Sequence, residues 1–277
     1  MRLSVRQQEP DVMLVCALCY GDHYDLISRC IASIRTYAKY PGISQLRIGM
    51  NAVSQSVREY LSEEARGFNI PVLLFAESNN ENVGKYPLMR QMLRHAEPQQ
   101  GNVMWFDDDS FIKSSAPSSF WNDISTYLID AAMVGALYKL NGPWNGNQKV
   151  AIKAQPWYTG KDWPDNYRVR FATGGWWATR LNLLRKHDYP FVDMYHNGGD
   201  AVLGELMYQQ GYKLFHYNKH VAINADEHHQ ESRAARRGLS TRPLWSHGPT
   251  GSFKPFVYSV ERYDADKQVE VELCKSM

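Results

Sequence analysis

Three consecutive carboxylates, Asp107, Asp108 and Asp109, stand in the run Met104-Trp-Phe-Asp-Asp-Asp-Ser-Phe-Ile112. Placed together at the end of an apolar stretch, they repel one another, and something must neutralise them. A hard cation such as Mn2+ or Mg2+ does so and leaves coordination positions open for diphosphate oxygens. The alternative is an acidic turn that closes a strand.

The elements around this cluster follow from hydrophobic periodicity. Val12 to Tyr20 is a continuous apolar run, as in a strand buried on both faces. Leu26, Ile27, Ile31, Ile34 and Ala38 recur at helical spacing within Asp25 to Tyr40, and Pro41-Gly42 ends that helix. Leu46–Met50, Val72–Ala76 and Asn102–Phe106 read as strands, with helices over Ser54–Phe68 and Tyr86–His95 between them. This alternation predicts an α/β fold with a doubly wound, mostly parallel sheet. Ligands of such sheets bind beyond the carboxyl ends of the strands, where the three aspartates fall. Downstream the pattern is irregular. Phe120–Asp130, Leu181–His187 and Ala201–Gln210 read as helices, Ala132–Tyr138 and Lys213–Tyr217 as strands, and Asn141–Arg170 as a long loop of functional character.

The length of 277 residues, 44% of them hydrophobic, suffices for a substantial core, and a formal charge of +2 does not mark a nucleic-acid binder. The charge is uneven. Lys139 to Lys186 holds nine Lys or Arg against Asp162 and Asp165, interleaved with Trp144, Trp157, Trp163, Trp176 and Trp177. That mixture suits a polyanionic or sugar-bearing partner, or else an ordinary solvated face over aromatic core. Cys16-Ala-Leu-Cys19 is a CxxC inside an apolar run, and with Cys30 and Cys274 there is no second pair at zinc-ligand spacing. The four thiols therefore read as buried and reduced rather than metal-bound. No apolar stretch reaches about 20 residues and the N-terminus lacks a signal-peptide core, so the expected location is the cytoplasm, or a host's cytoplasm for a viral protein, without stable membrane insertion.

The acidic run resembles the DxD motif of GT-A glycosyltransferases, and Phe106-Asp-Asp-Asp-Ser-Phe-Ile112 is similar to the fringe-type DDD. The resemblance implies a GT-A-like domain over 1–277, with about 11–112 holding a nucleotide-diphosphate sugar, a UDP-sugar foremost, and about 113–277 forming the acceptor-binding and catalytic half. It makes Asp107 and Asp109 metal ligands, Asp109 the surer of the two, with Asp107 and Asp108 against the donor. Thr173-Gly-Gly-Trp-Trp-Ala-Thr-Arg180 resembles the small-residue turn and following helix that cover the donor sugar, which assigns Gly174 and Gly175 to the donor site.

Asp200, in Asn197-Gly-Gly-Asp-Ala-Val-Leu-Gly204, matches the second acid of a family pair whose carboxylate deprotonates the acceptor in inverting members; Gly199 replaces the first acid. A helix cap is the alternative for Asp200. Ser246-His-Gly-Pro-Thr-Gly-Ser-Phe-Lys-Pro-Phe256 is similar to the HxxGxxKPW segment of glycogenin-like enzymes, which implies His247 as a metal ligand and Lys254 on the diphosphate. His228 and His229 compete with His247 for the ligand role. Tyr20-Gly-Asp22 follows the first strand, where the family binds base and ribose, and Asn82-Val-Gly-Lys85 resembles the donor loop of family 2 members. The fringe-like Asp200 favours inversion, whereas the tail resembles retaining enzymes.

Two acceptors fit. Arg233, Arg236, Arg237, Arg242 and the aromatic stretch suit hydroxymethylated bases of viral DNA, flipped onto Trp144 or Trp157. Surface polysaccharide, lipopolysaccharide or another lipid-linked saccharide is the comparable alternative. A nucleotidyltransferase shares the sheet and acidic cluster but has a Gly-rich phosphate loop that Cys19-Tyr-Gly-Asp-His-Tyr-Asp25 lacks, and a catalytically dead sugar-binding module is the third class.

Overall fold

A computed structural model describes residues 12–95, 101–139, 144–161, 163, 169–195, 198–223, 256–264 and 269–275. Its first half alternates as the apolar pattern predicts. β1 (Met13–Tyr20) is buried at every position, and α1 (Tyr24–Ala38), β2 (Ile43–Asn51), α2 (Gln55–Arg66), β3 (Val72–Glu77), α3 (Lys85–Arg94) and β4 (Asn102–Asp107) follow. The helix starts have local causes. Ser54 Oγ accepts from the Val57 amide to cap α2, and Gly84, at φ 87°, turns the chain into α3.

β5 (Ser110–Ile112), α4 (Phe120–Asp130), β6 (Met133–Lys139), α5 (Gly146–Lys153), β7 (Arg170–Arg180), α6 (Leu181–Lys186), α7 (Gly199–Gln209), β8 (Leu214–His216), β9 (Val221–Ile223), β10 (Val257–Tyr263) and β11 (Val269–Lys275) complete the described elements. Nine strands form one mixed sheet in the order β11-β10-β3-β2-β1-β4-β7-β6-β8, and β5 pairs with β9 in a second. β3, β2, β1 and β4 are parallel neighbours; β7 and β10 alone run against the rest of the large sheet. Because β2 and β4 flank β1 on opposite sides, the crossover direction reverses between β1 and β4, and a crevice opens at their carboxyl ends.

Strand alternation divides the core into two layers. Val15, Ala17 and Cys19 of β1 pack with α1, α2 and α4, whereas Leu14, Cys16, Leu18 and Tyr20 pack with α3, α6 and α7. Cys16, Cys19 and Cys30 are buried free thiols, but Cys274 is only partly covered, against the expectation for all four.

Two other expectations are corrected. Thr173 to Arg180 is not a turn and a helix: it lies within β7, whose Trp176–Arg180 pair antiparallel to β4 with Trp105 opposite Trp177, their rings stacked 6.0 Å apart. The segment read as loop from Asn141 contains α5, started by a reciprocal Asn145–Gln148 capping box. Nor do four of the five tryptophans of the basic stretch form a stacking surface; only Trp163 is partly exposed, with Lys149 and Lys153 each 5.7 Å from the centre of its ring. Trp144, Trp157, Trp176 and Trp177 are all at most 5% exposed. Trp144 Nε1 and Trp163 Nε1 donate to the two oxygens of the buried Glu205 on α7, at 2.9 and 2.8 Å, and Gln209 Nε2 adds a third donor at 2.9 Å. Among the described residues no helix is long and apolar enough to cross a membrane.

Candidate active site

β4 delivers the acidic triplet to the crevice beside β1, with Asp107 in register with Leu18. Consecutive residues point to opposite faces, and the partners differ accordingly. On the α3 side Asp107 is engaged at both oxygens: Trp105 Nε1 donates to Oδ1 at 2.9 Å and Lys85 Nζ to Oδ2 at 2.7 Å. On the α1 side Asp108 Oδ2 lies 3.3 Å from Nδ1 of His23, a residue 1% exposed whose Nε2 has no hydrogen-bond partner. Asp109 is buried at the turn between β4 and β5.

Lys85 links the acids. Its ammonium also donates to the Gly174 carbonyl at 2.9 Å, and a Cβ built on Gly174 would stand 3.4 Å from both Lys85 Nζ and Asp200 Oδ2. Asp107, Lys85, Gly174 and Asp200 thus meet in one place, brought by β4, α3, β7 and α7. Asp200 is partly covered and its pKa is raised, first by burial and further by Asp107, while Lys85 and the Ala201 amide pull it down. Burial prevails, so the carboxyl is a stronger base than a free aspartate. It is not a helix cap, because α7 begins at Gly199 and its cap position is Gly198, at φ 79°. A Cβ at Gly199 would come 2.2 Å from the Tyr86 ring, so glycine there lets α7 bring Asp200 close.

The loop before α3 is held from beneath. Asn51, fully buried at the end of β2, donates through Nδ2 to the Gly84 carbonyl at 3.1 Å and accepts from the Val83 amide at 3.1 Å. The Tyr86 amide donates to Tyr195 O at 3.1 Å. Burial, then Tyr189 and Asp200, push the Tyr86 hydroxyl well above its usual range, so it stays a neutral hydrogen-bonding group.

An open cleft of about 440 Å³ lies over the ends of β1, β2 and β3, lined by Gly21, Asp22, Ala52, Val53, Ser54 and Asn80. Ala52 (φ 52°) and Asn80 (φ 56°) hold left-handed backbone there, and Asn80 Nδ2 donates to Val53 O at 2.9 Å. Backbone of this kind persists where the surroundings impose it, commonly at ligand sites.

The expected residues therefore separate. Asp107, Lys85, Gly174 and Asp200 converge, with Asp108 and Asp109 on the adjoining turn, and Asp22 lines the cleft. Tyr20 is 2% exposed within the α3-side core. Gly175 faces the second sheet, where a Cβ would meet Ser110 Oγ at 2.9 Å and Ile223 at 3.0 Å. His228, His229, His247 and Lys254, with the four arginines 233, 236, 237 and 242, lie outside the described residues. His23, Asn51, Trp105 and Tyr86 belong to the network but are given no role by any motif; only their types, polar groups inside apolar runs or beside the acidic triplet, hint at it.

No protein-family model matches the sequence, and no curated protein matches it significantly. Solved structures do resemble it. A mannosyltransferase, PcManGT of Pyrobaculum calidifontis in complex with GDP-Man and Mn2+, superposes at a TM-score of 0.52 with 15% identity over 76% of this chain and 55% of its own. TarS of S. aureus, as residues 1–349, superposes at 0.50 with 12% identity over 81% of this chain and 64% of its own. The chain spans less than two thirds of either structure. Its mixed sheet with helices on both faces is the α/β fold of these glycosyltransferases.

Proposed function

We propose that the chain is a metal-dependent glycosyltransferase that moves a sugar from a nucleoside-diphosphate donor to an acceptor hydroxyl with inversion. The observation that carries this reading is the meeting of Asp107, Lys85 and Asp200 at the carboxyl ends of the central strands, beside an open cleft, in a fold shared with a mannosyltransferase that binds GDP-Man and Mn2+.

Asp107, Asp108 and Asp109 supply hard carboxylate oxygens of the type a divalent cation takes, with Lys85 and Trp105 on Asp107 and His23 facing Asp108. Asp109 is the first ligand in this reading, because Trp105 and Lys85 already engage both oxygens of Asp107; Asp107 and His247 complete the set that the DxD and HxxGxxKPW resemblances imply. A bound cation supplies positive charge to the diphosphate as it departs. The cleft over Gly21, Asp22 and Asn80 takes the nucleoside, and Lys85 and Lys254 add charge on the leaving side. Asp200 is the general base. As the acceptor oxygen bonds to the anomeric carbon, the bond from that carbon to the phosphate oxygen breaks, its electron pair leaves with the nucleoside diphosphate, and the hydroxyl proton passes to Asp200.

Burial of Trp144 and Trp157 in the core removes the stacking platform on which a flipped DNA base would rest. A saccharide hydroxyl, on a polysaccharide or lipid-linked chain, is the acceptor class that this reading favours. The test is nucleoside diphosphate release with Mn2+ and a panel of UDP- and GDP-sugars, with saccharide acceptors or hydroxymethylated duplex DNA. Release with one donor, abolished by EDTA and by Asp109→Ala, supports the reading, and acceleration by DNA alone restores the DNA acceptor. Pyrophosphate as the product points to nucleotidyl transfer, and absence of both release and metal-dependent donor binding rejects the enzyme.

A further inference from the structure

Far from the acidic triplet, at the outer edge of the sheet, the strand β11 meets the end of α3. Glu272 and Cys274 are two apart on β11 and share the face toward α3, opposite Val260 and Tyr258 of β10. His95 follows the last residue of α3 and caps it. One ligand atom from each of His95, Glu272 and Cys274 lies within 4.8 Å of the other two.

We propose that His95, Glu272 and Cys274 form a second metal site, selective for Zn2+, with the fourth position open to water. A thiolate, an imidazole and a carboxylate are the donor types zinc takes, whereas Mn2+ and Mg2+ prefer oxygen. Tetrahedral zinc with its usual bond lengths sets ligand atoms about 3.4 Å apart, so no pair needs to close by more than about 1.4 Å, and the exposed Glu272 is the least constrained of the three.

The surroundings prepare the site. Arg47 donates to the carbonyls of His95, at 3.2 Å, and of Met92, which fixes the end of α3. The His95 ring meets the Phe75 ring nearly at right angles at 5.2 Å, a contact that restricts its orientation. Burial, and then Arg47, lower the His95 pKa, so the imidazole is neutral and has a lone pair to give. Tyr258 stands opposite Cys274 across the β10–β11 ladder, where its hydroxyl can serve the sulfur as an outer-shell partner. Burial and Glu272 raise the thiol pKa, so zinc must displace a proton to solvent and binds more tightly as pH rises. The site would staple an edge strand to the helix whose first residue is Lys85.

The test uses the full chain and the metals alone. Co2+ added to the wild type and to Asp109→Ala should give a thiolate-to-cobalt charge-transfer band, which the acidic triplet cannot produce; Cys274→Ser should lack it. In competition with a chromophoric chelator, Cys274→Ser and His95→Gln, on separate elements, should each weaken Zn2+ binding by more than about 100-fold, since loss of an outer-shell partner alone costs about 10–100-fold. Absence of the band in the wild type, or Zn2+ affinity unchanged in Cys274→Ser, overturns the assignment.

Discussion

Lys85→Met tests the centre of the proposed site most directly. The ammonium lies 2.7 Å from Asp107 Oδ2, and the two side chains are 8% and 12% exposed. At that distance the attraction is about 6 kcal/mol for an effective dielectric constant of about 20, before desolvation is subtracted. Removing one partner of a buried pair leaves the other charge stranded, which costs about 3–5 kcal/mol. Asp107 keeps its bond from Trp105 Nε1, so we expect the lower end, about 3 kcal/mol, read as a fall in the urea midpoint. The double variant Lys85→Met/Asp107→Asn should recover at least about 2 kcal/mol of that loss, because the stranded charge is gone. Lys85 also pulls the Asp200 pKa down against burial, so its removal should move the acid limb of the pH–rate profile to higher pH. A loss under about 1 kcal/mol, additive single variants, or an acid limb that stays put or moves down would refute this account of the ammonium.

Asp200→Asn should abolish sugar transfer while leaving donor binding intact. The folded-state pKa of Asp200 is raised, so the native state holds its proton more tightly than the unfolded chain and stability falls as pH rises through that window. The variant should lose that slope and be more stable than the wild type at neutral pH; equal or lower stability there would contradict the raised pKa. Glu205→Ala strands the buried Trp144 Nε1 and takes an acceptor from the half-buried Trp163, while Gln209 Nε2 keeps the Lys161 carbonyl, and should cost about 2 kcal/mol or more, with faster proteolysis in the segment from Trp144 to Lys161. Gly199→Ala forces a methyl group onto the Tyr86 ring, and turnover should fall at least about tenfold with donor affinity little changed, as expected when a base is displaced by about 1 Å. Unchanged turnover would show that α7 can shift at no catalytic cost.

The first half of the fold was legible because its strands are buried on both faces and its helices carry a clean apolar stripe. β1 to β4 begin and end within three residues of where periodicity puts them. β7 was not legible: Thr173-Gly-Gly-Trp-Trp has the glycines of a turn, yet in the strand they let Lys85 and Asp200 approach at Gly174 and the second sheet approach at Gly175. β5 and β9 are three residues each, too short for a period, and β11 alternates valines with glutamates while its valines face outward. The site divides in the same way. Asp107, Asp200 and Lys85 could each be picked out by type or local pattern, but that the ammonium at the start of α3, 22 residues before Asp107, joins the two acids could not. His23 is 85 residues from Asp108, and no spacing rule pairs them. Composition misled for the tryptophans, because counting aromatic and basic residues together does not say on which side of the backbone each lies.

A Cβ at Gly204 would come 2.4 Å from the Arg170 carbonyl and 2.6 Å from the Phe171 side chain, so α7 rests directly on the backbone of β7. The same strand carries Gly174, and the same helix carries Asp200 and Glu205. Asp200 and the sheet are thereby mounted as one chassis, to which the segment from Trp144 to Lys161 is fixed by hydrogen bonds to Glu205 and Gln209 and by the buried Trp144, Ile152 and Trp157. Changes in that segment therefore act first on Glu205 and Gln209, and only through α7 on the position of Asp200.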